Sequence, residues 1–390
     1  MTIPIKYSIR SLFTRKLTVT LTVLGIALVV FVFSAVLMLA YGIEKTLVAT
    51  GSDENVIMLR KGSENELSSG LNRDLVNTIR TLPQINQSND GKPLLSTEIV
   101  VIINLLKIAG NDMGNVTVRG VTPQAFQLRP VVRLTSGRMF VEGSREVIVG
   151  TNINKRFNGA QVGQTIKFGG DLWTIVGVFE ADGTGFESEV WGDVDQLLQA
   201  FNRLSSFSSV TVKLRDKESF DAMKSAMESD NRMQTIKIER EKEYYEKQSR
   251  AMSIFISVLG VFITIGFSIG AIVGAIITMY AAVANRIVEI GTLRALGFQR
   301  TSILFTFLLE SIFLSLIGWA FGLAIASGLQ FFTISTVNFG TFSELAFSFS
   351  LSPDIVVTSL LFSLIMGVVG GFFPAVRASR LSILAALRAS

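Results

Sequence analysis

The order of apolar and polar positions divides the chain into four long apolar runs and one long stretch of shorter, alternating segments. Residues 17–41, 251–284 and 355–376 contain no charged side chain, and residues 303–332 contain only Glu310. Each run reaches the roughly 20 residues that a helix needs to cross about 30 Å of hydrocarbon, so the pattern predicts four transmembrane helices. The hydrophobic 49% of the chain is concentrated in these runs rather than spread as amphipathic stripes, which is the distribution of a membrane protein and not of a soluble core. The first run is too long for the apolar part of a signal peptide and ends without a small-residue cleavage site; it reads as an anchor.

Between the first two runs, residues 42–250 change character. Alternating or β-rich segments at 55–59, 99–106, 115–121, 146–150, 164–168, 172–179 and 209–214 predict strands, and the patterns at 72–82, 194–204 and 217–228 predict helices. The expected fold is a membrane protein of four transmembrane α-helices with a large α+β extracytoplasmic domain between the first and second. Residues 237–250, "KIEREKEYYEKQSR", are dense in charge and lack glycine and proline, which predicts that the second helix continues outward as a stalk.

Charge sets the orientation. Lys6, Arg10, Arg15 and Lys16 precede the first run, Arg286, Arg294 and Arg300 lie between the second and third, and Arg377, Arg380 and Arg388 follow the fourth. The connection between the third and fourth, 333–354, has no Lys or Arg. By the positive-inside rule the lead-in segment 1–16, the loop 285–302 and the C-terminus 377–390 are cytoplasmic, in a multi-pass protein of a bacterial inner membrane. Residues 42–250 hold 26 basic and 27 acidic side chains, so the net charge of +5 comes from the cytoplasmic segments. The basic pI therefore follows from topology and does not mark a nucleic-acid surface.

The chain has no cysteine and no histidine, which excludes disulfides, thiolate or imidazole metal sites and catalysis by either residue. A phosphate-binding loop is missing, because the only Gly-Lys pair, Gly91-Lys92, is followed by Pro93. Glu187 and Glu189 beside Trp191 read as a solvated turn, and Trp173 and Trp191 as core. The sequence predicts no catalytic residue, no metal ligand and no cofactor held by this chain.

Within the apolar runs, Gly266, Gly270 and Gly274 recur at four-residue spacing, as do Gly318/Gly322 and Gly367/Gly371. Such spacing lets helix backbones approach closely, and packing within one bundle accounts for it as well as a homodimer across the second helix does. Glu310 is the one charge inside a run, either functional or bonded to a loop arginine. The loop carries "NRIVEIGTLRALGF" (285–298). Here Arg286 and Glu289 are three apart and can pair, Ile290, Leu293 and Leu296 predict an apolar edge, Gly297 suits a left-handed helix stop, and Thr301 can cap the next helix. The result is a short rigid lever fixed to the ends of two membrane helices.

At these residues the chain resembles a family. Arg286, Glu289-Ile290-Gly291 and Arg294-Ala295-Leu296-Gly297, followed by Phe307-Leu308-Leu309-Glu310, are similar to the coupling-helix signature of the MacB/FtsX-type (type VII) ABC transporter permeases. Ser8-Ile9-Arg10-Ser11-Leu12 with Arg15-Lys16 resembles the family's amphipathic lead-in helix. Val118–Thr122, Gly137–Phe140, Val162–Gln164 and Ile175–Val178 resemble the MacB periplasmic core domain. Gly371–Arg380 with Ala386-Leu387-Arg388 resembles the family's C-terminal end. The resemblance implies a non-enzymatic permease subunit, expected as a homodimer, that passes ATP-driven motion to its outer domain. ATP and Mg would be held by a separate ABC ATPase subunit, since only sixteen residues precede the first run. A periplasmic adaptor and outer-membrane duct, or membrane lipid, are the further partners it implies. Export and lipid or lipoprotein extraction are the functions expected; the alternative is an FtsX-like regulator of a cell-wall hydrolase that transports nothing.

Overall fold

The computed structural model describes residues 16–110, 112–338 and 341–381, and the lead-in motif at Ser8–Arg15 and the terminal Ala386–Arg388 lie outside the described residues. The chain forms two compact units: a helical one, made of the segment up to Gly42, Ile254–Phe332 and the segment from Ser348, and a second of Ile43–Ser253 with Thr333–Phe347.

Four helices, Lys16–Val48, Glu241–Ala284, Arg300–Ser327 and Pro353–Arg380, are long and apolar enough to cross a membrane by length and composition. Small residues mark where they meet in the helical unit. A Cβ on Gly322 would stand 2.5 Å from the Ala27 carbonyl oxygen, and one on Gly318 2.8 Å from Ile26, which joins the third helix to the first. Gly367 and Gly371 of the fourth helix lie against Ser315 and Ser311 of the third, where the Ser363 hydroxyl also donates to the Ser315 carbonyl at 2.8 Å. Gly266, Gly270 and Gly274 differ: among the described residues, a Cβ at any of them would meet nothing within 4 Å. The second helix, at 44 residues, is about 66 Å long at 1.5 Å per residue, roughly twice a hydrocarbon core.

The second unit is α+β. Its strands are β1 (Asn55–Arg60), β2 (Leu71–Asn72), β3 (Leu95–Leu106), β4 (Met113–Val121), β5 (Arg133–Gly137), β6 (Glu146–Gly150), β7 (Thr165–Phe168), β8 (Asp171–Glu180), β9 (Glu189–Asp193), β10 (Ser206–Phe207), β11 (Ser209–Lys213), β12 (Ile236–Arg240), β13 (Thr333–Val337) and β14 (Glu344–Ser348). Ten of them make one mixed sheet in the order β12-β1-β11-β3-β4-β9-β6-β8-β5, with β7 paired to β8. Both faces are covered: along β1, Val56 and Met58 join one apolar cluster while Ile57 and Leu59 join another. That is why β1 reads as a continuous apolar run instead of a strict alternation.

Three segments depart from the sequence reading. Lys237–Arg240 lie in β12, paired with β1 (Leu59↔Lys237, Ile57↔Glu239), and the helix starts at Glu241, because ladder pairing overrides the helical preference of the charge run. Glu189 is not in a solvated turn: it begins β9, buried throughout and parallel to β4 (Val118↔Val190). Residues 333–354 contain the β13–β14 hairpin, which belongs to the second unit.

Candidate functional site

The loop stretch folds as a nine-residue helix, Ile287–Ala295, with Arg286 immediately before it. Its end is a left-handed stop. Gly297 has φ +91°, its N–H donates to the Arg294 carbonyl at 3.1 Å, and the Phe298 N–H reaches back to Leu293 at 3.2 Å, so orphan carbonyls are satisfied. Thr301 does not cap the following helix. Gln299 occupies that position without a side-chain cap, and the Thr301 hydroxyl is 3.4 Å from the Gln299 side chain instead.

Arg286 is buried and ties the pieces together. Its Nε donates to Glu289 Oε2 at 2.7 Å, its Nη1 donates to Glu310 Oε2 at 3.1 Å, and its guanidinium lies 5.5 Å from the centre of the Phe307 ring. Glu310, only 3% exposed inside the third helix, is thereby matched by a charge on the loop. Ile290 packs with Ile303, Phe307, Met279 and Val283, and Gly291 is buried beside it. The apolar edge is narrower than the spacing implied. Leu296 is 66% exposed, because it lies past the last helical turn, whereas Leu293 is half-buried. The outward face carries Val288, Glu289, Thr292, Ala295 and Leu296, and it is more apolar than a reading centred on charge would give. Arg294 is half-buried, and its Nε has no hydrogen-bond partner among the described residues.

A further constellation, in the second unit, was not legible in the sequence. Arg119 on β4 donates from Nε and Nη2 to Glu189 at 2.8 and 2.9 Å, from Nη1 and Nη2 to Glu66 at 2.8 and 3.0 Å, and from Nη1 to Glu98 at 2.7 Å. Arg129 donates to Glu98 at 2.6 Å and, from Nε and Nη2, to Glu241 at 3.1 and 3.0 Å. All six charged groups are buried. Burial pushes the Glu98 carboxyl up, but the guanidiniums of Arg129 and Arg119 outweigh it and hold Glu98 below the usual carboxylate range. Likewise, burial disfavours the charged form of Arg129, and Glu98 and Glu241 more than offset it. The residues come from β3, β4, β9, the loop at Glu66, Arg129 just after the short helix Ala125–Leu128, and the first residue of the second long helix, a spread in sequence that no local motif encodes.

Glu241 carries this network to the helix. Its Oε2 accepts from the Asn55 amide side chain at 2.9 Å and the Ser52 N–H at 3.1 Å, so the exit of the first long helix and the start of the second are bonded to one carboxylate. A Cβ at Gly51 would stand 2.5 Å from the Lys242 Cα, which allows no side chain there. Among the described residues no cluster of acidic side chains is arranged to hold a metal ion.

Two family models together cover most of the chain. Residues 19–230 match the family model of the MacB-like periplasmic core domain, and residues 251–383 match that of the FtsX-like permease C-terminal domain. The chain is 25% identical over 415 residues to a macrolide export ATP-binding/permease protein MacB of Shewanella oneidensis, covering 98% of this chain and 60% of that protein. It is 25% identical over 412 residues to a probable export ATP-binding/permease protein of Pseudomonas fluorescens, covering 97% of this chain and 59% of that one. The chain thus spans about three fifths of the length of these curated relatives. Among solved structures, the periplasmic region of MacB from Actinobacillus actinomycetemcomitans aligns with a TM-score of 0.39 at 15% identity, covering 53% of this chain and 96% of that one.

Proposed function

We propose, from the premise that this chain belongs to the ABC transporter permeases built of a MacB-like periplasmic core domain and an FtsX-like C-terminal permease domain, that it passes ATP-driven motion from a partner ATPase to its outer unit. The observation that carries this reading is the anchoring of the loop helix by Arg286 to Glu310 of the third long helix, which makes the loop a lever that cannot move alone. The continuity of the second helix from Glu241, bonded to Arg129, through to Ala284 supports the rest of the path. ATP and Mg bind on the ATPase, which docks on the outward face of the loop helix. Export is the favoured use, in line with the names of the relatives, with a periplasmic adaptor and outer-membrane duct as partners; lipid or lipoprotein extraction is the second use. Because the sequence contains no cysteine, a fluorophore on a Gln164→Cys variant reports the outer unit alone. Adding ATP and Mg to membranes holding this chain and its ATPase should change the probe's emission; no change would remove mechanical transmission as the function.

The active form is read as a homodimer joined through the first two helices. Its support is an open apolar groove of about 710 Å³ lined by Leu21, Gly25, Leu28, Gly266, Gly270 and Gly274. Since a Cβ at Gly270 meets nothing within 4 Å among the described residues, Gly270→Leu should leave the protomer folded while separating or re-registering the pair. Gly322→Leu, against Ala27, should instead destabilise the protomer by about 1–3 kcal/mol through overpacking. Cross-linking yield across the second helix, beside thermal unfolding of each variant, separates the two effects; unchanged cross-linking in Gly270→Leu would exclude this interface. The orientation proposed, with both termini and the loop helix cytoplasmic, predicts an external reporter at Gly183 and internal ones at Gly297 and Ser390. Cytoplasmic activity of the Gly183 fusion would reverse the topology.

A further inference from the structure

The outer unit is held by more than the two helices that flank it in sequence. The β13–β14 hairpin sits on the connection between the third and fourth long helices, joined to them through Phe332 and Ser348, yet its side chains are bonded into the outer unit. Glu344, at the start of β14, pairs with Lys107 just past the end of β3 and stands 3.6 Å from Arg156 Nη2. Arg156 also donates to the Ser335 hydroxyl on β13. The Asn115 amide donates to the Phe342 carbonyl at 2.8 Å, and the Ala346 N–H donates to the Ser188 hydroxyl at 3.1 Å. A Cβ at Gly114 would stand 2.8 Å from Glu344 Oε1, so β4 leaves just enough room for this carboxylate. Leu345, Ala346 and Phe347 are buried, and Leu345 approaches Gly185 and Leu47.

This contact differs in kind from the joint at Glu241. There both carboxylate oxygens are bonded, and Glu241, Arg129 and Glu98 are buried. Under the hairpin, Ser343 and Glu344 close over a cavity of about 40 Å³ whose far wall is Glu66, Arg119, Glu189 and Tyr245, so the hairpin's contact there is polar and incompletely filled. A polar, incompletely filled contact loses less when it shifts than a packed one does, because its groups can exchange partners with water.

We infer that the β13–β14 hairpin is a second transmission point, a clasp through which displacement of the third and fourth helices reaches the outer unit, with Glu344 as the residue that positions it. The inference rests on the transmission reading above. Motion entering at Glu241 moves the strands it is bonded to, and motion entering at Glu344 acts on Lys107 and Asn115 at the tip of the β3–β4 hairpin. Strand β3 carries Glu98 near one end and reaches Lys107 just beyond the other, so one strand connects the two points.

The test uses the full chain with cysteines introduced at two exposed positions, Val337→Cys on the hairpin and Gln164→Cys on the outer unit, each spin-labelled. The label-to-label distance distribution should be narrow, broaden at least twofold in Glu344→Lys, broaden less in Glu344→Gln, and narrow again in the exchanged pair Lys107→Glu with Glu344→Lys. An unchanged distribution in both single variants would overturn the clasp. With the ATPase present, Glu344→Lys should retain ATPase co-purification while the ATP-driven response at position 164 falls at least threefold. A full response there would overturn the hairpin's part in transmission. No response in the parent chain would instead remove the transmission reading itself, a result distinguishable from the first.

Discussion

Replacing Arg119 with alanine is expected to unfold the outer unit. Arg119 is 2% exposed and its guanidinium is shared among Glu66, Glu98 and Glu189, so its removal leaves three buried carboxylates with Arg129 as their one remaining cation, and that on Glu98 alone. Breaking one buried pair costs about 3–5 kcal/mol, because the surviving charge stays out of water. Two carboxylates left without their cation, and a third left with one of two, bring the loss to or beyond the upper end of that range, comparable with the roughly 5–15 kcal/mol that holds a domain together. Arg119→Lys should fall between, since an ammonium keeps the charge but cannot fork to three carboxylates. Trp191 reports the change, because its indole N–H donates to Glu189 Oε2 at 2.7 Å within the same network. Its emission should shift to the red in Arg119→Ala at neutral pH and in the absence of denaturant. A parent-like unfolding midpoint would mean that the network contributes nothing to the fold.

The same residues set a pH dependence with a definite sign. Glu98 is held below its ordinary value of 4.5, so the stabilisation it brings is present above that value in the parent and is lost as pH falls through the lowered one. In Arg119→Ala one of the two guanidiniums that hold Glu98 down is gone while its burial remains, so its folded-state value rises and less stability is lost on acidification than in the parent. The gap between parent and variant should therefore be widest near neutrality and close on acidification. A gap that widens in acid would show that Arg119 acts by packing and not by charge.

How much of this was legible in the sequence depends on the range of the interactions. The four apolar helices were readable because hydrophobic length is a local property, and the strands β1, β3, β4, β6 and β8 because each carries its own pattern. What escaped was decided at a distance. Glu189 looked solvated because nothing near it in sequence marks Arg119, seventy positions away, as its partner. Lys237–Arg240 looked helical because the pairing with β1, across some 180 residues, leaves no trace in a charge run. The hairpin at 333–348 looked like a loop for the same reason, its anchors being Lys107, Asn115, Arg156 and Ser188. Within the loop helix, the pairing of Arg286 with Glu289 follows from spacing, whereas the further bond to Glu310, 24 positions on, needs the third helix folded back beside it.

The division of roles within that helix yields the second large effect. Arg286 faces inward, so Arg286→Ala should act on the protomer itself. The buried Glu310 would lose the Arg286 guanidinium, a broken buried pair that costs about 3–5 kcal/mol, and the amount of folded permease should drop. Glu289 and Arg294 stand differently: Glu289 is 43% exposed while pairing Arg286, and the Arg294 Nε is inside yet unbonded among the described residues. A half-buried guanidinium at the edge of a helix whose outer face is Val288, Thr292, Ala295 and Leu296 is suited to a carboxylate on a docked subunit. Reversing it in Arg294→Glu should therefore leave the permease folded and cost about 2–5 kcal/mol of ATPase binding, a loss of roughly thirtyfold or more in affinity. Glu289→Arg adds a second cation beside Arg286 and should weaken both the loop and the docking. Leu296→Asp, which touches no partner charge, should weaken docking alone if the exposed apolar face is part of the contact. The deciding measurement is the ratio of co-purified ATPase to folded permease for each variant, with ATP-driven response at position 164 as the second readout. If Arg294→Glu and Leu296→Asp both keep that ratio and the response, the ATPase docks elsewhere and the loop helix is only a structural brace.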